Sequence, residues 1–89
     1  MAKRRVWKPK LGELVTVHWL DIVEMPTSSP GMVRPALFHS TGYWLGWARD
    51  PERGRFCRLS DTWDVDDKRF MGATAYPAGV VKLIEKAGK

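Results

Sequence analysis

With 89 residues the chain is long enough for one small domain, and its single cysteine, Cys57, excludes an intrachain disulfide and a metal site built from several thiolates. The formal net charge is +5, and the whole excess lies in residues 1–10, because residues 11–89 carry ten basic and ten acidic side chains. This balance argues against a domain that binds duplex nucleic acid across its body, which would need a basic surface there.

Hydrophobic segments are short throughout the sequence. No stretch approaches the roughly 20 apolar residues that a membrane helix needs. The charged residues 1–10 are not followed by an apolar run of the kind found in secretory signals. A lone cysteine is typical of proteins in a reducing compartment. We therefore expect a cytoplasmic protein, in the host cytoplasm if the protein is viral, with no membrane partner.

The first predicted strand begins after a glycine turn. Val15, Val17 and Trp19 alternate with polar residues, which is the pattern of a half-buried strand. The alternation ends near Asp21, where we expect a bend or a bulge. Residues 24–36 contain three prolines, and because no regular element tolerates that density, they are predicted to form a loop.

A second strand is predicted over residues 36–48, where aromatic residues and glycines are interleaved. Strict alternation would direct Tyr43 and Trp47 to one face of this strand and Trp44 to the other. The glycines on either side of Trp44 would leave space for its ring or for a sharply curved sheet. One face is then expected to fill the core, and the other to form an interface or a stacking surface.

Three more strands are predicted in the rest of the chain. The third strand covers residues 55–63 and follows a turn at 49–54. The fourth is a short segment that ends at Tyr76 and follows a polar turn region at 64–72. The fifth runs from Val80 to Ile84. No stretch has the period of an amphipathic helix of ten or more residues. The pattern favours an all-β fold, and we predict a small five-stranded antiparallel barrel, SH3-like or Sm-like, over residues 11–86, preceded by a basic N-terminal arm over residues 1–10.

Three segments of the chain resemble a family of small phage and bacterial proteins. LVTVHWLD at 14–21 is similar to the family's strand ending in Trp-x-Asp, and STGYWL at 40–45 to its glycine–aromatic strand. AYPAGVVKLIE at 75–85 is similar to its closing Pro-x-x-x-Val-x-x-Ile-Glu strand, although Tyr76 replaces the usual aliphatic residue. The resemblance implies an SH3-like or Sm-like barrel that can assemble into a ring, and it implies no particular chemistry.

The arm is the first candidate site. Its basic side chains can contact phosphates while an indole stacks on a base, and the alternative is a disordered, solubilising terminus. The tryptophan favours a binding role, because a purely solvating tail has little use for an indole. The candidate nucleic-acid-binding residues are Lys3, Arg4, Arg5, Trp7, Lys8 and Lys10.

The hairpin of the second and third strands supplies a second candidate, an aromatic and anion-binding surface. If its members share a face, arginines can hold an anion beside a flat ring. The alternative, which is the commoner arrangement, is a solvated hairpin tip whose arginines pair with Asp50, Glu52 and the acids that follow. The residues assigned to this surface are Tyr43, Trp47, Arg49 and Arg55.

The other polar residues form no pattern that indicates chemistry. Asp61, Asp64, Asp66 and Asp67 lack the spacing of a calcium-binding loop, and turn formation explains them. Residue types suited to a nucleophile and a base occur without a recognisable catalytic spacing. Cys57, beside an aromatic residue, is expected to be a small core side chain. We predict a non-enzyme without a metal or cofactor.

Two hypotheses from different classes follow. The first is a self-associating module that binds RNA, DNA or a small nucleotide, with several arms around a ring creating a local positive field. In a variant of it, a cyclic nucleotide or dinucleotide is held between subunits. The second is a protein-interaction or structural module, in a virion or on a host protein, that docks through the aromatic face and the proline-rich loop. Salt separates them, because only phosphate contacts weaken steeply with added salt.

Overall fold

The computed structural model describes residues 7–22, 31 and 33–87. Its strands are β1 (Leu14–Asp21), β2 (Ala36–Asp50), β3 (Gly54–Asp64), β4 (Arg69–Pro77) and β5 (Val81–Lys86), with a 3₁₀ turn at Ala78–Val80. All five are antiparallel and form one sheet in the order β4-β3-β2-β1-β5. The predicted all-β fold with five antiparallel strands is confirmed. No described segment is a helix with the length and apolar character needed to cross a membrane.

The sheet is open and strongly curved. β4 and β5 are its edges, and within the described residues no strand pairing joins them. The curvature nevertheless brings together strands that are not neighbours in the sheet, because the rings of Trp19 on β1 and Tyr76 on β4 lie 5.4 Å apart, edge to face. The open sheet is the observed architecture, and a closed barrel stays a prediction.

The long strand β2 pairs with two neighbouring strands. Its first part pairs with β1 and its second part with β3, and the two ladders meet near Gly42 and Tyr43. A Cβ atom at Gly42 would lie 2.7 Å from the backbone oxygen of Ser60, so only glycine allows β3 to approach this closely. The space predicted beside Trp44 is thus occupied in part by the β3 backbone.

The core lies on the inner face of the curved sheet. In-register pairs place Trp44 opposite Leu59 and Cys57 opposite Tyr76, so these side chains point the same way. The buried apolar side chains are Val15, Val17, Trp44, Cys57, Leu59 and Tyr76. Cys57 is the small core residue that the sequence predicts, and burial raises the pKa of its thiol to about 11.

The C-terminal strand boundaries differ from the sequence prediction. Only residues 65–68 of the predicted turn region at 64–72 form a turn, and β4 already begins at Arg69. The strand therefore includes Phe70, whose ring packs against two aromatic neighbours. The polar composition of the segment concealed this strand start, because tertiary packing outweighs local propensity.

The irregularity of β1 also lies elsewhere than predicted. The β1–β5 register shifts between His18 and Trp19, so the bulge is earlier than the expected position near Asp21. It falls on the β5 side of the pair, where the strand continues from the 3₁₀ turn. Most of the predicted loop at 24–36 lies outside the described residues.

Candidate functional site

A β-bulge in β2 decides which aromatic side chains share a surface. The register with β3 shifts between Trp44 and Gly46, so Leu45 is an extra residue in β2. Gly46 has a φ of 99°, a conformation that side-chain-bearing residues rarely adopt. Because one extra residue reverses the alternation, Trp47 lies on the same face as Trp44.

The prediction that Tyr43 and Trp47 share one face, with Trp44 on the other, is therefore wrong. The rings of Trp44 and Trp47 lie 6.0 Å apart, edge to face. The ring of Tyr43 instead lies 5.6 Å from that of Phe70. Alternation alone cannot reveal a bulge, and the glycine at position 46 was the available indication of one. The aromatic cluster is divided between two pockets.

The first pocket, which we call the Trp47 pocket, has a volume of about 310 Å³. Its lining residues are Trp7, Lys8, Pro9, Trp44, Trp47, Arg55 and Ile84. Trp44 is only 4% exposed and belongs to the core, whereas Trp7 and Trp47 are 38% and 37% exposed. The pocket thus joins two sites that the sequence predicts separately, the N-terminal arm and the hairpin surface. The sequence did not indicate that Trp44 takes part.

Two arginines border the Trp47 pocket. The Arg55 guanidinium carbon lies 4.0 Å from the centre of the Trp47 ring, a cation–π contact worth about 0.5–1 kcal/mol at an exposed site. Arg49 is directly opposite Arg55 in the β2–β3 register, and both line a groove of about 280 Å³ beside Trp47. Like charges at directly opposed positions destabilise a strand pair, and an anion bound between them would remove that cost.

The neighbouring acid Asp50 has a structural role in the turn between β2 and β3. The Asp50 carboxylate accepts the backbone N–H groups of Glu52 and Arg53, at 2.8 and 2.9 Å, and so holds the β2–β3 turn. The ion pairs found within the described residues join His18 to Glu85, Arg69 to Asp67, and Lys86 to Glu13. Within the described residues, no ion pair therefore joins Arg49 or Arg55 to these turn acids, although both arginines are exposed, as they would be at a solvated hairpin tip.

The second pocket, which we call the Trp63 pocket, has a volume of about 300 Å³. It is lined by Gly12, Tyr43, Trp63 and Phe70. The rings of Trp63 and Phe70 are 4.8 Å apart, edge to face, and Trp63 remains 40% exposed. Tyr43 belongs here and not to the anion-binding surface to which the sequence assigned it.

Aspartates surround the Trp63 pocket in the chain. Asp61 and Asp64 flank Trp63 on β3, and the Asp64 carboxylate accepts the N–H groups of Asp66 and Asp67 at 3.0 Å each. These bonds form the turn between β3 and β4, so the turn role predicted for Asp64 is confirmed. Asp67 also lies 3.9 Å from Arg69, a long contact between exposed groups.

The predicted arm is described only in part. Lys3, Arg4 and Arg5 lie outside the described residues. Trp7 and Lys8 line the Trp47 pocket. In the sequence, Lys10 lies between Pro9, which lines the Trp47 pocket, and Gly12, which lines the Trp63 pocket. Its backbone N–H donates to the Glu13 carboxylate at 3.0 Å.

Histidines form a polar cluster on the outer face of the sheet. The rings of His18 and His39 lie 4.0 Å apart, and His18 Nε2 is 2.6 Å from Glu85 Oε2. Beside them, Thr16 and Thr41 share a hydrogen bond of 2.8 Å across β1 and β2. In the part of the chain that the structure describes, no three His, Cys, Asp or Glu side chains are grouped so as to hold a metal ion.

Comparisons with known proteins give no match, whether with family models, curated proteins or solved structures. The resemblance to small phage and bacterial proteins therefore stays a prediction, and the functional interpretation depends on the two pockets.

Proposed function

We propose that this protein is a small, self-associating binding module that holds a nucleotide unit of a single-stranded nucleic acid in the Trp47 pocket. The observation that carries the proposal is the placement of Arg49 and Arg55 opposite each other beside the exposed ring of Trp47. The Trp47 ring can stack on a base, and the two arginines, which form no ion pair with an acid in the described residues, can bind a phosphate. A nucleotide needs both a stacking surface and a positive charge at one place.

The charge of the Trp47 pocket disfavours a cationic ligand. Tryptophan rings commonly hold ammonium groups, but here Arg55 already covers the Trp47 ring and Lys8 lines the same pocket. A second cation would be repelled. A flat and negatively charged ligand can stack on the exposed indoles and is attracted by the arginines. If the ligand is a nucleotide, its base can also stack on the guanidinium plane of Arg55.

The size and shape of the pocket favour a single unpaired base. A volume of about 310 Å³ is at the lower end of the roughly 300–1,000 Å³ that is usual for small-molecule pockets. A base in a duplex is stacked on both sides and cannot place its face on an indole. A free nucleotide carries the same two groups as one unit of a strand, and dependence on strand length separates the two ligands.

The electrostatic contribution is expected to be modest. Lys8, Arg49 and Arg55 border the site, but residues 11–89, which include both arginines, carry no net charge. Three neutralised phosphates correspond to a slope of about −2 in log affinity against log salt for single strands. Lys10 and the arm residues Lys3, Arg4 and Arg5 would steepen that slope.

The rest of the proposal concerns architecture and context. The curved antiparallel sheet supports a barrel of the SH3-like or Sm-like type, and the resemblance suggests a phage or bacterial origin and a cytoplasmic site of action. Self-association would place several Trp47 pockets on one strand and raise its effective affinity without new contacts. Nothing in the proposal needs an enzyme activity or a cofactor.

The test is a titration of the full chain with a single-stranded RNA of about ten nucleotides, within the range that one small β-barrel domain covers. Tryptophan fluorescence reports stacking directly. Trp47→Ala and Arg55→Ala are each expected to weaken binding about tenfold or more, since stacking of one base contributes about 1–3 kcal/mol. Arg58→Ala is the matched control, because Arg58 is on the same strand but on the opposite face.

Binding that Trp47→Ala and Arg55→Ala leave unchanged would refute the Trp47 pocket as the site. If the wild-type chain binds neither RNA, single-stranded DNA nor free nucleotides, the nucleic-acid function itself fails, and the protein-interaction hypothesis becomes the better account. Duplex RNA of the same length is expected to bind at least tenfold more weakly than the single strand.

A further inference from the structure

We propose that the Trp63 pocket receives an arginine from the basic arm of a second copy of this chain. The inference deepens the proposed function and rests on its self-association, for which it names the surface and the partner segment. The arm segment concerned is residues 1–6, whose charged side chains are Lys3, Arg4 and Arg5.

The molecule itself shows what an exposed tryptophan of this sheet can bind. In the Trp47 pocket, the indole is covered by the guanidinium of Arg55 at 4.0 Å. In the Trp63 pocket, the ring is 40% exposed, and the cation–π contacts of the described residues do not include it. The two rings belong to pockets of similar volume, but only one is supplied with an arginine.

Charge complementarity selects the same occupant. Residues 61–69 around Trp63 contain four aspartates against Lys68 and Arg69, whereas residues 1–6 contain three basic side chains and no acid. Asp66 and Asp67 follow Trp63 by three and four residues and are exposed, so we expect them to attract the other basic side chains of the arm. An acidic or phosphate-bearing ligand would be repelled from this pocket and attracted to the other.

The attachment point of the arm favours a second copy over the same chain. The arm joins the described residues at Trp7, which lines the Trp47 pocket, and the chain reaches the Trp63 pocket only at Gly12. Docking in trans links one copy to the next head to tail, a contact that repeats and can close into a ring. Because phosphates and the aspartates attract the same basic side chains, an oligonucleotide would compete for the arm.

The experiment is sedimentation velocity on the full chain without nucleic acid, at low salt and over a range of concentrations. The variant Asp66→Asn with Asp67→Asn is expected to weaken self-association at least tenfold, and Arg4→Ala with Arg5→Ala to do the same. Asp21→Asn with Glu52→Gln removes two negative charges elsewhere and should leave self-association unchanged. Asp64 is not altered, since its carboxylate holds the turn.

Exchanging the charges of the arm and the pocket between two chains tests whether the arm of one copy docks on the other. A chain with Arg4→Glu and Arg5→Glu, and a chain with Asp66→Lys and Asp67→Lys, should each be monomeric, and their mixture should associate. A mixture that stays monomeric while the wild-type chain associates would overturn the proposal, as would a wild-type chain that is monomeric at all concentrations. RNA binding by the Asp66→Asn, Asp67→Asn variant is measured in parallel. Retained binding shows that the Trp47 pocket functions even if this docking fails.

Discussion

The Trp47 and Trp63 pockets contain similar side chains in opposite electrostatic surroundings. Each has an exposed tryptophan packed edge to face on a second aromatic ring, and their volumes are about 310 and 300 Å³. Basic residues border the first, and aspartates surround the second in the chain. We therefore expect the charge around each ring, and not aromatic content alone, to select what stacks on it.

The pockets also differ in how they depend on the fold. The Trp47 pocket includes the core residue Trp44 and Ile84, which packs against the core. The Trp63 pocket lies at the end of β3 beside the turn at residues 65–68, where fewer buried groups support it. Substitution of the core residue Trp44 in the Trp47 pocket should therefore lower the stability of the fold, whereas substitutions in the Trp63 pocket should mainly weaken self-association.

The largest expected effect is a difference in stability between substitutions of Trp44 and Trp63. Trp44→Ala removes a ring that is 4% exposed and should cost about 3–5 kcal/mol in the free energy of unfolding. Trp63→Ala removes a ring that is 40% exposed and should cost much less, about 1 kcal/mol. Urea denaturation followed by circular dichroism measures both. Equal losses would contradict the assignment of Trp44 to the core and of Trp63 to an exposed pocket.

The next effect tests the bulge that separates the pockets. Gly46→Ala forces a side chain into a left-handed conformation and should cost about 1–2 kcal/mol, with weaker RNA binding because Trp47 shifts. Gly79→Ala is the control, because a Cβ there also meets open space and the backbone is not left-handed. If Gly46→Ala is as mild as Gly79→Ala, the bulge does not depend on this glycine.

A pH effect reports on the core beside the Trp47 pocket, since the buried residue Cys57 is paired with Trp47 across the strands. Burial raises the pKa of the Cys57 thiol from 9.0 to about 11 in the folded chain, against a smaller opposing effect of Arg55. The unfolded chain loses this proton at lower pH than the folded chain. The contribution of the Cys57 thiol to the free energy of unfolding is therefore complete below pH 9 and is lost as pH rises from 9 towards 11. Denaturation at several pH values should show that fall, and Cys57→Ala should reduce it. A thiol reagent that modifies the folded chain rapidly at pH 8 would contradict the burial.

The smallest effect has opposite signs for stability and binding. Arg49→Ala removes the like-charge pair with Arg55 and should raise the free energy of unfolding by a few tenths of a kcal/mol, up to about 1 kcal/mol. The same change should weaken RNA binding. Arg58→Ala, on the other face, should leave RNA binding unchanged and should not raise stability, because it removes a contact with the Phe56 ring at 5.8 Å. Thermal melts and titrations on the same preparations give both values, and a loss of stability in Arg49→Ala would show that the arginine pair is not repulsive.

The sequence was sufficient for the strands but not for the site. Alternation at Val15 and Val17, and turn residues between the apolar runs, are local properties, and they predicted five antiparallel strands. The grouping of Trp47 with Trp44 depends on one extra residue at the bulge, and the start of β4 at Arg69 depends on packing of Phe70. Trp7 and Arg55 line one pocket although they are distant in the chain, and no local pattern contains that arrangement.

The most direct test of the central claim is photo-crosslinking of a single-stranded RNA that contains 4-thiouridine, followed by mass spectrometry of the peptides. We expect adducts on the peptides that carry Trp7 and Trp47, with loss of the Trp47 adduct in Arg55→Ala. Adducts confined to the peptide that carries Trp63, or binding without any adduct in the Trp47 pocket, would contradict it.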